Sequence, residues 1–122
     1  MKKRKLGNTG LEVSVIGFGA MQLGDISFNG KDSETLLNQV LDSGINLIDT
    51  AVGYGNSEEK IGKYLSYRRD EFILSTKCGY FVPGVPDWTG KAIESGIDNA
   101  LKRLNTDVID IMHFHSCPID IL

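Results

Sequence analysis

Four residues whose side chains handle protons stand far apart in this chain: Asp49, Tyr54, Lys77 and His115. A lysine ammonium beside a tyrosine phenol favours the phenolate and lowers the phenol's pKa. An aspartate beside the lysine holds it charged and oriented. A phenol tuned in this way can protonate a carbonyl oxygen as hydride arrives at the carbon. A histidine donor next to it fixes the direction of the carbonyl. The hydride must come from a cofactor, since no side chain supplies one. Singly, each residue has an ordinary structural explanation: a strand-end Asp caps a helix, a strand-end Lys snorkels to water, and a lone Tyr packs on the surface. Their joint placement is the argument for chemistry.

That placement depends on a repeated strand–loop–helix cadence. Residues 3–6 and 11–14 flank Gly7-Asn8-Thr9-Gly10, which predicts a short hairpin. Residues 15–19 read as a buried strand, and 22–32 as a polar loop. Leu36, Leu37, Val40 and Leu41 then share a helical face, with Asp32 or Ser33 as cap and Gly44 as stop. Residues 45–50 form a second strand. Asn56 and Glu59 read as a capping box opening a helix that runs to about Ser66. Residues 72–77 form a third strand and 78–88 a loop rich in Gly and Pro. Ala92, Ile93, Ile97, Ala100, Leu101 and Leu104 mark a third helix, and residues 108–115 a fourth strand.

Strand ends therefore fall near Gly19, Asp49, Lys77 and His115, at intervals of 30, 28 and 38 residues. Each interval is the length of a strand plus a returning helix, so the sheet is parallel with right-handed crossovers. Parallel strands deliver functional residues at their C-terminal ends. The pleat places Ser75 and Lys77 on one face, and His113 and His115 on one face. Gly53 and Gly55 let the Tyr54 loop fold tightly over the sheet. An open doubly wound sheet and a closed (β/α)8 barrel both satisfy this cadence. Gly17-Phe18-Gly19-Ala20-Met21-Gln22 follows a strand, but Gln22 stands where a dinucleotide fingerprint needs its third glycine, and no helix opens there.

The chain has 122 residues, 41% hydrophobic and 24% charged, which excludes disordered and low-complexity classes. Its net charge of −3 argues against nucleic acid or an anionic membrane surface as partner. No apolar run approaches the roughly 20 residues of a membrane helix. Two cysteines, Cys78 and Cys117, are too few for a disulfide framework, and the basic start Lys2-Lys3-Arg4-Lys5 has no apolar segment behind it. A reducing, cytoplasmic setting is the expectation.

The chain resembles the N-terminal part of an aldo/keto reductase. The motifs are Gly17-Phe18-Gly19-Ala20-Met21, Gly44-Ile45-Asn46-Leu47-Ile48-Asp49-Thr50-Ala51, Tyr54-Gly55, Ser75-Thr76-Lys77 and Asp110-Ile111-Met112-His113-Phe114-His115. They recur in order across nearly the whole length. The resemblance implies an α/β fold: the N-terminal half of a TIM (β/α)8 barrel, with about four parallel strands and three helices behind a hairpin that plugs the bottom. It implies Tyr54 as general acid, Lys77 and Asp49 as its tuning pair, and His115 as carbonyl orienter. It implies NADP(H), contacted by Gly19, Ala20, Met21 and Asp49, and a small-molecule carbonyl substrate. The family's barrel needs about 250 residues or more, so strands five to eight are expected to be missing, with most of the cofactor site.

Two other readings follow from the same residues. His113, His115 and Cys117, with Cys78 near by, could ligate a divalent metal. Alternatively the chain is a truncated barrel fragment, weak or inactive in catalysis. Half a barrel leaves its outer strands with open edges, so self-association through those edges or the inner sheet face is expected. Finally, Tyr80, Phe81, Trp88 and Phe28 are placed to line an apolar pocket for a small carbonyl compound.

Overall fold

In the computed structural model, which describes residues 1–122, the chain opens with an antiparallel pair, β1 (Lys3–Lys5) and β2 (Glu12–Ser14). Gly7 and Gly10 turn the chain between them with φ of 54° and 80°, a region glycine enters at no steric cost. Asn46 ties this hairpin to the main sheet. Its Oδ1 accepts from the Ser14 amide at 2.6 Å, its Nδ2 donates to the Glu12 carbonyl at 2.9 Å, and its own amide donates to Ser14 Oγ at 3.0 Å. The hairpin thus lies against the N-terminal ends of the parallel strands.

Those strands are β3 (Phe18–Gly19), β4 (Leu47–Asp49), β5 (Ile73–Cys78) and β6 (Ile111–Phe114). Between them run α1 (Gly30–Asp42), α2 (Ser57–Leu65) and α3 (Gly90–Arg103). The sheet order is β3-β4-β5-β6, all parallel. A doubly wound sheet reverses its order at a switch point. This one never reverses, which is the order of a barrel wall, so the (β/α)8 reading is the one the topology supports.

The pleat sorts residues onto two faces. Phe18, Ile48 and Leu74 share one row in register. Ile48 and Leu74 are buried against Leu37 and Leu41 of α1, Ile61 and Leu65 of α2, and Ala100 and Leu104 of α3. Each such side chain contributes roughly 1.5–3 kcal/mol on leaving water. The opposite row is Gly19, Asp49, Ser75 and Ile111, with Lys77 opposite His113 one row above. The core therefore sits between sheet and helices, and the polar row faces the barrel interior.

Several boundaries differ from the sequence reading, each for a local reason. Asn29, rather than Asp32 or Ser33, caps α1: its Oδ1 accepts from the Asp32 amide at 2.9 Å while its Nδ2 donates to Asp32 Oδ2 at 2.6 Å. The Asn56–Glu59 capping box does not form, because Asn56 at φ −99°, ψ 24° lacks the extended conformation that aims a capping side chain. The first parallel strand shortens to two residues, leaving Val15 and Ile16 exposed. β6 starts late because the Asp110 carboxylate takes the Leu74 amide at 2.8 Å and Arg69 Nη2 at 2.6 Å. Short 3-10 turns occupy Gln22–Gly24 and Ser66–Glu71. Gly44, at φ 88°, ends α1 as expected.

Two buried charges brace the helices. Glu58 is 1% exposed, accepts from Thr76 Oγ1 at 2.6 Å and pairs with Arg103 Nε at 2.5 Å, joining α2, β5 and α3. Lys60 donates to the carbonyls of Leu23, Asp25 and Phe28 at 2.7, 3.2 and 2.7 Å, pinning the loop after β3. Removing one partner of a buried pair leaves an uncompensated charge. Arg103→Ala should therefore cost about 3 kcal/mol, read as a lower urea midpoint; an unchanged midpoint would contradict the bracing role.

Candidate active site

The C-terminal ends of β4 and β5 lie side by side, so the residues leaving them meet. Lys77 Nζ donates to Asp49 Oδ2 and to the Thr50 carbonyl, each at 2.7 Å. The other Asp49 oxygen, Oδ1, accepts from Ser75 Oγ at 2.9 Å, and Ser75 Oγ lies 3.2 Å from His113 Nε2. An ammonium has three protons. Two are committed to β4 and its end, and the third is left for the neighbouring loop.

That loop carries Tyr54. It is held at its base by Thr50 Oγ1 donating to Ser57 Oγ at 2.9 Å, which in turn donates to the Ala20 carbonyl at 2.9 Å. Gly55 adopts φ 53° and packs its backbone on Gly24, where neither glycine has room for a Cβ. This contact curls the loop over the sheet. The Lys77 ammonium lies 4.8 Å from the centre of the Tyr54 ring. The contact is with the ring face, and no hydrogen bond joins the two side chains.

His115 lies one residue beyond β6, where its amide donates to the Cys78 carbonyl at 2.8 Å. Its ring is edge-on to Tyr54 with centroids 6.1 Å apart. Its Nδ1 is 2.7 Å from the Tyr80 hydroxyl, and its carbonyl accepts from Trp88 Nε1 at 2.9 Å. Burial first, and then the Lys77 ammonium, push the His115 pKa below the usual imidazole value; Asp49 opposes this and His113 adds to it. The imidazole is thus held towards its neutral form. Asp49, Tyr54, Lys77 and His115 are brought to one place.

Of the aromatic residues named from the sequence, Tyr80 and Trp88 flank His115, whereas Phe81 is 69% exposed. Phe28 is elsewhere: it packs on the core with Lys60 Nζ 5.7 Å above its ring. The metal reading does not survive the geometry, because no three His, Cys, Asp or Glu side chains converge as a ligand set. His113 faces Ser75, His115 faces Tyr80, and Cys117 Sγ turns to the Pro118 carbonyl. Cys78 is on the helix side of the sheet against Gly96, where burial and then Glu58 push its thiol up.

The residues offered for a nicotinamide cofactor fit it in part. Nothing lies within 4 Å of where a Cβ of Gly19 would stand, so a planar ring can approach that backbone. Met21 is 55% exposed just beyond it, while Ala20 is fully buried and donates its amide to the Asp49 carbonyl at 2.8 Å. The cation of this face, Lys77, is already committed to Asp49 and Thr50, so it is not available to hold a diphosphate. The largest cavity, about 910 Å³, opens at the opposite ends of the strands among Met1, Asn46, Arg69 and Asp107. Its arginine is committed to Asp110.

The sequence reading missed Tyr80 as a partner of His115, Ser75 as a partner of Asp49, and Lys60 as the loop anchor. Ser75 was legible from the pleat. The other two were not, because each contact spans 32 or more residues through loops.

Comparison with known proteins identifies the family to which the fold belongs. Residues 15–120 match the sequence profile of the Aldo/keto reductase family. The chain is 39% identical to L-galactose dehydrogenase of Arabidopsis thaliana, over 92% of the chain and 37% of that protein. It is 34% identical to 6-dehydroglucose reductase of Novosphingobium aromaticivorans, over 92% of the chain and 40% of that protein. Its fold superposes on aldo-keto reductase AKR11C1 from Bacillus halodurans, in holo form, with a TM-score of 0.85 at 38% identity, over 98% of this chain and 42% of that one. The chain thus spans less than half the length of these relatives. It belongs to the aldo/keto reductase family.

Proposed function

We propose that these residues form the proton-transfer side of an NADP(H)-dependent carbonyl reductase site, acting on an aldehyde or ketone of small size. The observation that carries the reading is the Lys77 ammonium, held at 2.7 Å by both Asp49 Oδ2 and the Thr50 carbonyl with the Tyr54 ring 4.8 Å away. A cation fixed there stabilises the negative charge that develops on the phenol oxygen as its proton leaves. Tyr54 is then the general acid for reduction and the general base for the reverse oxidation. Asp49 keeps the Lys77 ammonium aimed. The neutral His115 ring donates to the carbonyl oxygen and sets its direction. The cofactor supplies the hydride when bound; Gly19, Met21 and Asp49 are the residues of this chain that would meet it.

The test joins residues 1–122 to the remaining barrel of the Bacillus halodurans reductase. The hybrid should oxidise NADPH in the presence of a generic aldehyde. Tyr54→Phe should lower kcat by a factor on the order of 10²–10⁴, with NADPH affinity nearly unchanged by fluorescence titration. Full turnover in the Tyr54→Phe hybrid would show that another group is the acid.

The second reading, a fragment that is weak on its own, is favoured by one observation. The inner face of this chain offers a cofactor only Gly19, Met21 and Asp49, and the nearby Lys77 is committed to Asp49 and Thr50. The isolated chain should therefore bind NADPH weakly and show little reductase activity. A micromolar dissociation constant together with aldehyde turnover by the isolated chain would contradict this.

A further inference from the structure

The loop between β5 and α3 does more than connect them. It turns through two non-glycine residues with positive φ, Phe81 at 63° and Trp88 at 57°, a conformation that bulky side chains rarely take. Strain of this kind persists only where surrounding contacts hold it. The Trp88 amide donates to the Gly79 carbonyl at 2.5 Å, and its indole donates to the His115 carbonyl at 2.9 Å. The Tyr80 ring lies between, 6.3 Å from Trp88, 4.5 Å from Phe81 and 5.0 Å from the imidazole. The loop grips His115 at two points: its backbone and one ring nitrogen.

We propose that Tyr80 is a positioning residue that fixes His115 in the Nε2–H tautomer, with the phenol donating to Nδ1, so that the free N–H faces the Tyr54 side of the site. The 2.7 Å contact admits two proton arrangements. If Nδ1–H donated to the phenol, the Tyr80 proton would have no acceptor within the chain, and Nε2 would be a bare acceptor unable to donate to a carbonyl. If the phenol donates, its proton is satisfied and Nε2 carries the hydrogen. Burial, and then Tyr54, push the Tyr80 phenol up, which keeps it a donor. The groups facing His115 are Lys77, Asp49, His113, Tyr54 and Tyr80; the two nearest charges, Lys77 and Asp49, act in opposite senses. The tautomer is therefore set by the phenol.

The catalytic consequence rests on the proposed reductase reading, but the tautomer does not, and the two are tested separately. The chain has only two histidines, so a long-range proton–nitrogen NMR spectrum of the labelled 122-residue chain resolves His115 with His113 as internal reference. His115 should show an unprotonated Nδ1 shifted by hydrogen bonding, correlated with a slowly exchanging Tyr80 phenol proton. Tyr80→Phe should remove that shift and admit the Nδ1–H tautomer. A protonated Nδ1 in the unsubstituted chain would overturn the proposal, as would a His115 spectrum indifferent to Tyr80→Phe. Should the variant not fold, the phenol–Nδ1 correlation in the unsubstituted chain decides alone. In the hybrid reductase, Tyr80→Phe should lower kcat roughly tenfold, less than the 10²–10³ of deleting a donor outright, with the KM for NADPH unchanged. If the hybrid does not reduce aldehydes at all, the reductase reading fails while the spectrum still decides the tautomer.

Discussion

A half-buried ammonium must be neutralised, and the way Lys77 is neutralised organises the upper end of the sheet. Its side chain is 16% exposed, and it donates to Asp49 Oδ2 and the Thr50 carbonyl. Hydrogen bonds to charged groups are worth roughly 1.5–3 kcal/mol each, enough to hold the end of β4 against β5 at one register. Ser75 then satisfies the other Asp49 oxygen, so the carboxylate cannot swing away. Because Tyr54 leaves the sheet five residues after Asp49, fixing this end of β4 also fixes where the phenol's loop begins. The electrostatics of the site and the pairing of the strands are one constraint.

The helix side of the same strands supplies the rigidity. Thr50 and Thr76 point away from the site and are fully buried, yet neither is wasted: Thr50 bonds Ser57, and Thr76 bonds Glu58. Both partners lie in the first turn of α2, which is thereby riveted to β4 and β5. Lys60, one turn further, gathers three carbonyls of the preceding loop. A buried polar group costs little only when fully partnered, and no buried side-chain nitrogen or oxygen in this chain lacks a partner. The loops that carry Met21 and Tyr54 are therefore backed by satisfied hydrogen bonds as well as by apolar packing.

Much of this could be read from the residue order. The strand-end positions of Asp49 and Lys77 follow from a period of two and a crossover length, and both emerge as paired neighbours. Gly44 as a helix stop needs only the left-handed conformation that glycine prefers. What escaped had non-local causes. Asn56 has a capping side chain, but the Gly55–Gly24 contact sets a backbone that cannot use it. Glu58 and Lys60 look like solvated charges in a helix, and only the tertiary fold buries them. His113, His115 and Cys117 share a strand pattern, but the chain leaves β6 before His115, so the implied ligand face does not exist. Tyr80 meets His115 through a loop whose shape depends on two strained residues that no periodicity announces.

In the proposed site, Asp49 and Lys77 act on Tyr54 as a single unit. A double-mutant cycle measures this directly. In the hybrid reductase, Asp49→Asn, Lys77→Met and the double variant would be compared by kcat/KM. Residues acting as a unit are strongly non-additive, so the double variant should lose about as much activity as Lys77→Met alone. Losses that simply multiply would mean that Asp49 and Lys77 act independently, and the coupling on which the site is built would be wrong.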